Sequence, residues 1–342
     1  MFKFINRNLG IQLLALYMLF VGPVLLAALT FDRFAAERLE ADVKAADLAL
    51  ARAIAQETNT ILDTALSAVT QLGTYPAVIE IDPTGMQTVF SILQSVRPDV
   101  NLVYRLDARG IMHYHYPTGP GSTIGWDFSF RDYYQGALNT RQPLLSKGRI
   151  SPTTEQPVAT AVMPLWSKGG QFLGLVATNI TLQSLSNTLT SIVAETSPKG
   201  DFQVAIVDSA GQVIAHPDAN MLLEDMNTNL PEITEAVLSG KTGDLIAKNV
   251  AGQERLYSYV PIPSASWGVI VSRSTEAAFA TARATHRGIL LTIGIYIVVG
   301  ILFWLALSQR IIRPLQNLAA FSRTIGRDQP VTSEQRHFMV EL

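Results

Sequence analysis

The chain has 342 residues and a net charge of −2, with 26 Lys and Arg set against 28 Asp and Glu, so it offers no electrostatic case for binding nucleic acid. It contains no cysteine, which excludes disulfide staples, thiolate metal sites and thiol nucleophiles. Its length is enough for two or three domains with cores of their own.

Leu9 to Thr30 carries no charge and is weakened only by Gln12 and the Gly22-Pro23 pair, so residues 9–30 read as a transmembrane helix. The apolar part outruns the core of about 7–15 residues in a cleaved signal peptide, which favours a retained anchor. From Phe31 to Leu72 there is neither Gly nor Pro, and Leu39, Val43, Ala46, Leu50, Ile54, Ile61, Ala65, Val69 and Leu72 recur mostly in steps of three and four. That stripe predicts a long helix over residues 31–74, about 60 Å of rod, ended by Gly73 and Pro76. The near half of the stripe suits a dimer seam, the far half the face packed on its own domain.

A repeat follows. Asn101 to Pro117 and Phe202 to Pro217 each give an apolar strand, an Asp-x-x-Gly turn and a second strand. The turns, Asp107/Gly110 and Asp208/Gly211, supply an Asp for backbone capping and a Gly for positive φ, hence two tight hairpins. Short helical stretches come next, near Tyr133–Asn139 and Pro231–Ser239, and then a strand–turn–strand in each copy. Leu182 to Thr196 joins the copies as a helix. The expected fold is α+β: a long N-terminal helix and two antiparallel-sheet modules, at residues 75–200 and 201–280, flanked by two transmembrane helices.

Within the first copy, Trp126, Phe128, Phe130, Tyr133 and Tyr134 crowd around Arg131 in a chain that is only 8% aromatic. A guanidinium walled by rings can grip a carboxylate through two parallel charge-assisted hydrogen bonds. The alternative is that Arg131 pairs with Asp127 or Asp132, the two acids flanking it, and that the rings are ordinary core. His113 and His115 should share one strand face; with no third ligand nearby they read as structure or polar pocket wall, and no metal is expected. His216 reads as structural. No nucleophile constellation, phosphate-cradling loop or zinc motif is present, so neither an enzyme nor a cofactor is expected.

Gly288 to Ser308 is a second uncharged stretch, of 21 residues, spanning about 31 Å as a helix. Lys3 and Arg7 precede the first span, and Arg310, Arg313, Arg323, Arg327 and Arg336 follow the second, against His286 and Arg287 at its other end. Positive charge inside then puts residues 1–8 and 309–342 in the cytoplasm and residues 31–287 outside: a two-pass protein of the plasma (inner) membrane, in contact with lipid. Beyond the second span, Ile311, Leu315, Leu318, Phe321 (or Ser322) and Ile325 keep coiled-coil-like spacing, with Pro314 kinking the helix and Gly326 ending it.

These residues resemble a known family. Val-Asp-Ser-Ala-Gly-Gln-Val-Ile-Ala-His-Pro-Asp at Val207–Asp218, Leu222–Met226 and Ser266–Val271 resemble the double Cache sensor domains of bacterial transmembrane receptors, which carry two tandem PAS-like modules on a long helix. The Pro314-Leu315 pair resembles the start of a HAMP linker, its second helix cut within His337–Leu342. The resemblance implies a homodimeric receptor whose membrane-distal module, the first copy, binds a small molecule and relays it through HAMP. The expected output is a histidine kinase of a two-component system; the alternatives are a chemoreceptor, a cyclic-nucleotide or cyclic-dinucleotide enzyme, or an anchored binding protein without effector.

In amino-acid-sensing members an Arg-x-Trp-Tyr-like motif holds the ligand carboxylate; its counterparts here are Arg131, Tyr133 and Tyr134. The acidic positions that would meet an amino group fall on Ser151 and Asn179, neither of them acidic, while Arg149 adds a second cation. The resemblance therefore implies a carboxylate ligand without a free amine, an organic acid in preference to an amino acid, contacted by Arg131, Tyr133, Tyr134, Trp126, Arg149, Ser151, Asn179, His113 and His115.

Overall fold

The computed structural model describes residues 9–196 and 202–325. These divide into two compact units, one made of the stretches up to Glu40 and from Ala280 onward, the other of Ala41–Phe279.

The first unit is helical. Helix α1, Leu9–Leu72, is unbroken for 64 residues, and Pro23 lies inside it. It and the C-terminal helix each hold an apolar window long enough to cross a membrane, with mean hydropathy 1.6 and 2.6 and only 6% of either window buried. Phe20, Leu26, Leu291 and Phe303 are all exposed, as lipid-facing side chains would be. Asp32 on α1 is buried and holds His286 Nδ1 at 2.6 Å.

In the second unit, the far half of the predicted stripe is buried: Leu50, Ile54, Ala65, Val69 and Leu72 are at most 7% exposed. Leu39 and Val43 are half-buried, and Ala46 is exposed. After α1 come α2 (Pro76–Ile79) and α3 (Pro83–Val96). Helix α3 was not anticipated from the sequence. Pro83 starts it, the Asp82 carboxylate caps the Thr84 and Gly85 amides, and Met86 and Phe90 bury its inner face.

The first module's strands are β1 (Val100–Leu106), β2 (Met112–Tyr116), β3 (Leu144–Leu145), β4 (Arg149–Ile150), β5 (Pro157–Trp166) and β6 (Phe172–Thr181), with α4 (Asp132–Ala137) between β2 and β3. They form a six-stranded antiparallel sheet, order β2-β1-β6-β5-β3, with β4 also on β5. Helix α5 (Leu182–Thr196) connects to the second module. There β7 (Gln203–Val207), β8 (Val213–Ala215), β9 (Gly243–Lys248), β10 (Glu254–Ile262) and β11 (Trp267–Ser274) repeat the plan in the order β8-β7-β11-β10-β9, with α6 (Met226–Asn229) and α7 (Pro231–Leu238) over one face. Helix α8 (Thr275–Ala278) closes the unit. Both hairpin glycines take positive φ, +85° at Gly110 and +82° at Gly211, as the Asp-x-x-Gly turns require.

Each sheet buries two faces. In the first, Val103, Val176, Ile180, Ala159 and Ala161 face the core shared with α1. Leu102, Tyr104, Leu175, Ala177 and Val162 face the other way, onto Tyr133, Tyr134 and Ala137 of α4.

Helix α9 (Ala280–Leu307) ends in a π-helical turn, Ser308–Ile312, followed by α10 (Arg313–Ile325). The widened turn lies just ahead of Pro314, whose ring cannot share the carbonyl four residues back. The expected N-terminal charges at Lys3 and Arg7, the stop at Gly326 and the second linker helix lie outside the described residues.

Candidate functional site

The face of the first sheet that meets α4 carries an unusual load of buried polar atoms. Arg149 enters from β4 and donates through Nη2 to Thr160 Oγ1 at 2.8 Å and to Asn179 Oδ1 at 3.2 Å, with Tyr104 Oη at 3.5 Å. Thr160 Oγ1 also donates to Asn179 Oδ1 at 2.8 Å, and Asn179 Nδ2 donates to Ser151 Oγ at 3.3 Å. Strand register explains the convergence: Asn179 stands opposite Leu102 on β1 and Thr160 on β5, so all three point to one side. Thr160, Ser151 and Asn179 are each at most 1% exposed.

Tyr133 packs into this group from α4. Its ring lies under Arg149, 5.1 Å from the guanidinium carbon to the ring centroid, and edge-on to Tyr104 at 6.5 Å. Burial raises the Tyr133 phenol well above its ordinary value; the Tyr104 phenol adds to the rise, and the charges of Arg149 and Arg131 oppose it. It is therefore a protonated donor at neutral pH. Arg131 leaves the chain at the start of α4 with its guanidinium 4.9 Å from the centre of the Phe130 ring.

Among the described residues, five buried polar atoms here have no hydrogen-bond partner: Arg131 Nε, Tyr133 Oη, Arg149 Nε, Arg149 Nη1 and, beside the turn after β4, Asn101 Oδ1. Four of the five are donors. Leaving a buried polar group unpaired costs about 1–3 kcal/mol, more beside a charge, so such a cluster is the signature of a place built to receive an acceptor. The two guanidiniums make that acceptor an anion.

The segment leading into α4 is tied down along its length. Met112 N donates to Trp126 O, Gly125 N to Met112 O and Phe128 N to Gly110 O, at 2.8–3.0 Å, so residues 125–128 run beside the first hairpin. Thr123 Oγ1 lies 2.8 Å from Thr153 Oγ1, joining this segment to the turn after β4.

Of the sequence-derived candidates, the fold brings Arg131, Tyr133, Arg149, Ser151 and Asn179 together, and adds Tyr104 and Thr160. Three expectations fail. The aromatic cage around Arg131 is not formed: Trp126 and Phe130 are 56% and 69% exposed, and only Phe130 faces the guanidinium. Tyr134 turns the other way, donating its hydroxyl to Ala108 O at 2.8 Å and packing edge-on to Phe172. Asp127 and Asp132 do not orient Arg131; Asp127 accepts from the Ser129 amide and Asp132 from the Tyr133 amide.

The histidines separate for a simple reason. Register slips between Arg105 and Leu106, so His113 occupies a bulge and His115 stays opposite Tyr104. His113 swings out to Asp107 Oδ2 at 3.2 Å, while His115 is buried. His115 Nδ1 lies 2.9 Å from Pro117 O and must donate to it, so Nε2 accepts from Ser122 Oγ at 2.8 Å. Burial holds its pKa below the ordinary histidine value, against the pull of the Pro117 carbonyl.

Thr160 and Tyr104 are missed by motif reading because strand register, not sequence neighbourhood, brings them to the site. A hydroxyl in the otherwise apolar Val158–Val162 run is the only hint.

Comparison with known proteins agrees with this architecture. The chain is 26% identical over 158 residues to the methyl-accepting chemotaxis protein McpG of Pseudomonas putida, a stretch covering 45% of this chain and 23% of that protein. This chain thus spans about a quarter of the length of that relative. The ligand-binding domain of the Pseudomonas fluorescens chemoreceptor CtaA in complex with L-alanine superposes with a TM-score of 0.53 at 23% identity, covering 67% of this chain and 96% of that one. That of the Pseudomonas aeruginosa amino acid chemoreceptor PctB in complex with L-Gln gives 0.54 at 21% identity, covering 68% and 91%. The profile of the Cache domain (dCache_1) matches residues 31–282, and the chain belongs to that family of sensor domains.

Proposed function

We propose that this chain is the input half of a two-pass membrane receptor, with residues 31–287 outside the cytoplasm and the first module as its membrane-distal ligand-binding part. The ligand is a small carboxylate. The observation that carries this reading is the cluster of four partnerless buried donors from Arg131, Tyr133 and Arg149. A carboxylate between the two guanidiniums satisfies them and relieves the cost of keeping them unpaired.

The preference for an organic acid without an amine finds no support among the relatives, whose domains are described in complex with L-alanine and L-Gln. We therefore take an α-amino acid as the ligand class. Its ammonium would meet uncharged oxygens such as Asn101 Oδ1 and Ser151 Oγ rather than a carboxylate, giving a weaker hold on the amine than on the acid.

The signal would pass along α1 and α9 of a homodimer into a HAMP-like linker starting at Pro314-Leu315. A ligand that favours one of two helix arrangements shifts the balance between them. Among outputs, the histidine kinase expected from the sequence and a methyl-accepting chemoreceptor fit the sensor equally; the named relatives lead us to carry the chemoreceptor forward.

The test is calorimetric titration of the purified chain in lipid nanodiscs with the common L-amino acids and with the 2-hydroxy acids that share their side chains. Binding of at least one amino acid more tightly than its hydroxy analogue supports the reading. Binding of hydroxy acids alone would restore the amine-free ligand, and binding of neither would end the carboxylate assignment.

A further inference from the structure

The second module carries a cavity of about 310 Å³ on its own sheet, lined by residues of β7, β8, β10 and β11. It occupies the place that the candidate site holds in the first module, and strand register shows this residue by residue. Asn179 stands opposite Leu102 and Thr160; Ser272, which lines the cavity, stands opposite Gln203 and Tyr257. Tyr104 faces Ala177 across the first sheet, and Ala205 faces Ile270 across the second. Arg149 pairs with Val158, and its counterpart Ala247 pairs with Arg255. Where the first module places the Tyr104 phenol, the second has Ala205, which lines the cavity; the nearby guanidinium here is that of buried Arg255, turned onto Ser272 Oγ and O and outside the lining.

The chemistry of the lining differs in the same sense. No Asp, Glu, Lys or Arg lines the cavity; Val213, Met226, Leu230 and Ile270 give it an apolar body, and its polar side chains include His216, Asn229, Asn249, Tyr257 and Ser272. Two of these, Ser272 and Tyr257, are set as donors. Arg255 Nε donates to Ser272 Oγ at 3.2 Å, which leaves the Ser272 proton free to be given elsewhere. His216 Nδ1 lies 3.0 Å from the Asp218 amide nitrogen and 3.2 Å from the Asp218 carbonyl oxygen, which ties the ring to the turn after β8 through that nitrogen. Burial keeps the Tyr257 phenol protonated. The β9–β10 turn borders the opening, with Val250 80% exposed and Ala251 beside it.

We propose that this cavity is a second small-molecule site, for an uncharged, mainly apolar ligand that carries one hydrogen-bond-accepting group such as a carbonyl or hydroxyl. Its volume lies at the lower end of small-ligand pockets, and its lining pairs an apolar wall with two convergent donors. A receptor with this site reads two chemically different inputs, an amino acid gripped by its carboxylate in one module and an uncharged molecule in the other. The assignment does not rest on the reading of the first module.

The absence of native cysteine makes the test site-specific. In the full chain held in nanodiscs, Ala251→Cys supplies a sole thiol at the cavity's edge, and its maleimide labelling rate is measured with benzamide, benzyl alcohol, cyclohexanone and benzoate. The neutral probes should slow labelling severalfold and saturably, and benzoate should not. Adding Ala205→Tyr, which restores the first module's phenol, should abolish the protection. Adding Ser272→Val, a smaller change, should weaken it at least several-fold should Ala205→Tyr fail to fold. Protection by none of the neutral probes, equal protection by benzoate, or full protection retained in Ser272→Val would overturn the proposal.

Discussion

The Arg149 guanidinium lies over Tyr133, 5.1 Å from the ring centre, while its Nε and Nη1 and the Tyr133 hydroxyl have no partner. The fold uses Nη2, through Thr160 and Asn179. Nε and Nη1 are held ready. That division between positioning and open contacts makes the contribution of each group separable.

Tyr133→Phe should move stability and binding in opposite directions. It removes a buried hydroxyl that nothing satisfies, so the unliganded protein should be unchanged or gain about 1 kcal/mol. Ligand affinity should fall by roughly five- to tenfold, the net worth of one hydrogen bond. Thermal unfolding with and without an L-amino acid found to bind measures both at once.

Arg149→Lys should be far from conservative. A lysine keeps the charge but loses the planar array in which Nη2 bonds Thr160 and Asn179 while Nε and Nη1 stay open. The expected loss is at least tenfold in affinity, accompanied by lower stability as Asn179 Oδ1 loses a donor; calorimetry and urea unfolding report the two effects.

Asp208 couples the modules. Its carboxylate, fully buried, accepts from Ala210 N and Gln212 N within its own hairpin turn and from Gly148 N, at 2.8 Å, in the first module. Gly148 immediately precedes Arg149, and a Cβ there would lie 2.8 Å from Ile214. Asp208→Asn should cost about 2–3 kcal/mol, because bonds to a charged acceptor weaken. It should also loosen ligand binding in the first module, by releasing Gly148 next to Arg149. Unchanged affinity would show that Gly148 is held by packing alone.

Two histidines, His115 buried and His216 half-buried, give stability a predictable pH dependence. Burial holds both His115 and His216 below the ordinary value of 6.5. The unfolded chain therefore takes up protons at a higher pH than the folded one, and stability falls as pH drops below about 6.5, with no histidine contribution to the slope well above it. The His115→Gln/His216→Gln double variant should flatten the decline of Tm between about pH 7 and pH 5. A decline as steep as the parent's would assign it to carboxylates instead.

Much of the fold is legible in the sequence because its devices are local. Periodicity over Leu50–Leu72 marks the buried face of α1, Asp-x-x-Gly marks both hairpins, and Leu182–Thr196 is a helix with the bounds its apolar spacing suggests. Helix α3 escaped because Met86 to Leu93 alone fits strand or helix, and only Asp82-Pro83 decides. The site is legible only in part. Arg131 and Tyr133 lie in one conspicuous run, but sequence proximity gives no direction to a side chain, so Trp126 and Tyr134 look equivalent to Tyr133 and are not. A one-residue bulge separates His113 from His115, and register between distant strands recruits Tyr104 and Thr160.

The central claim is that Arg131, Tyr133 and Arg149 together grip a carboxylate. Calorimetric titration of the chain in nanodiscs, with an amino acid that binds and with its carboxamide, tests this most directly when repeated on Arg131→Ala and Arg149→Ala. The account predicts that the carboxamide binds at least tenfold more weakly than the acid, and that either substitution removes that difference along with most of the affinity. An acid and a carboxamide that bind alike, or a preference for the acid that survives both substitutions, would contradict it.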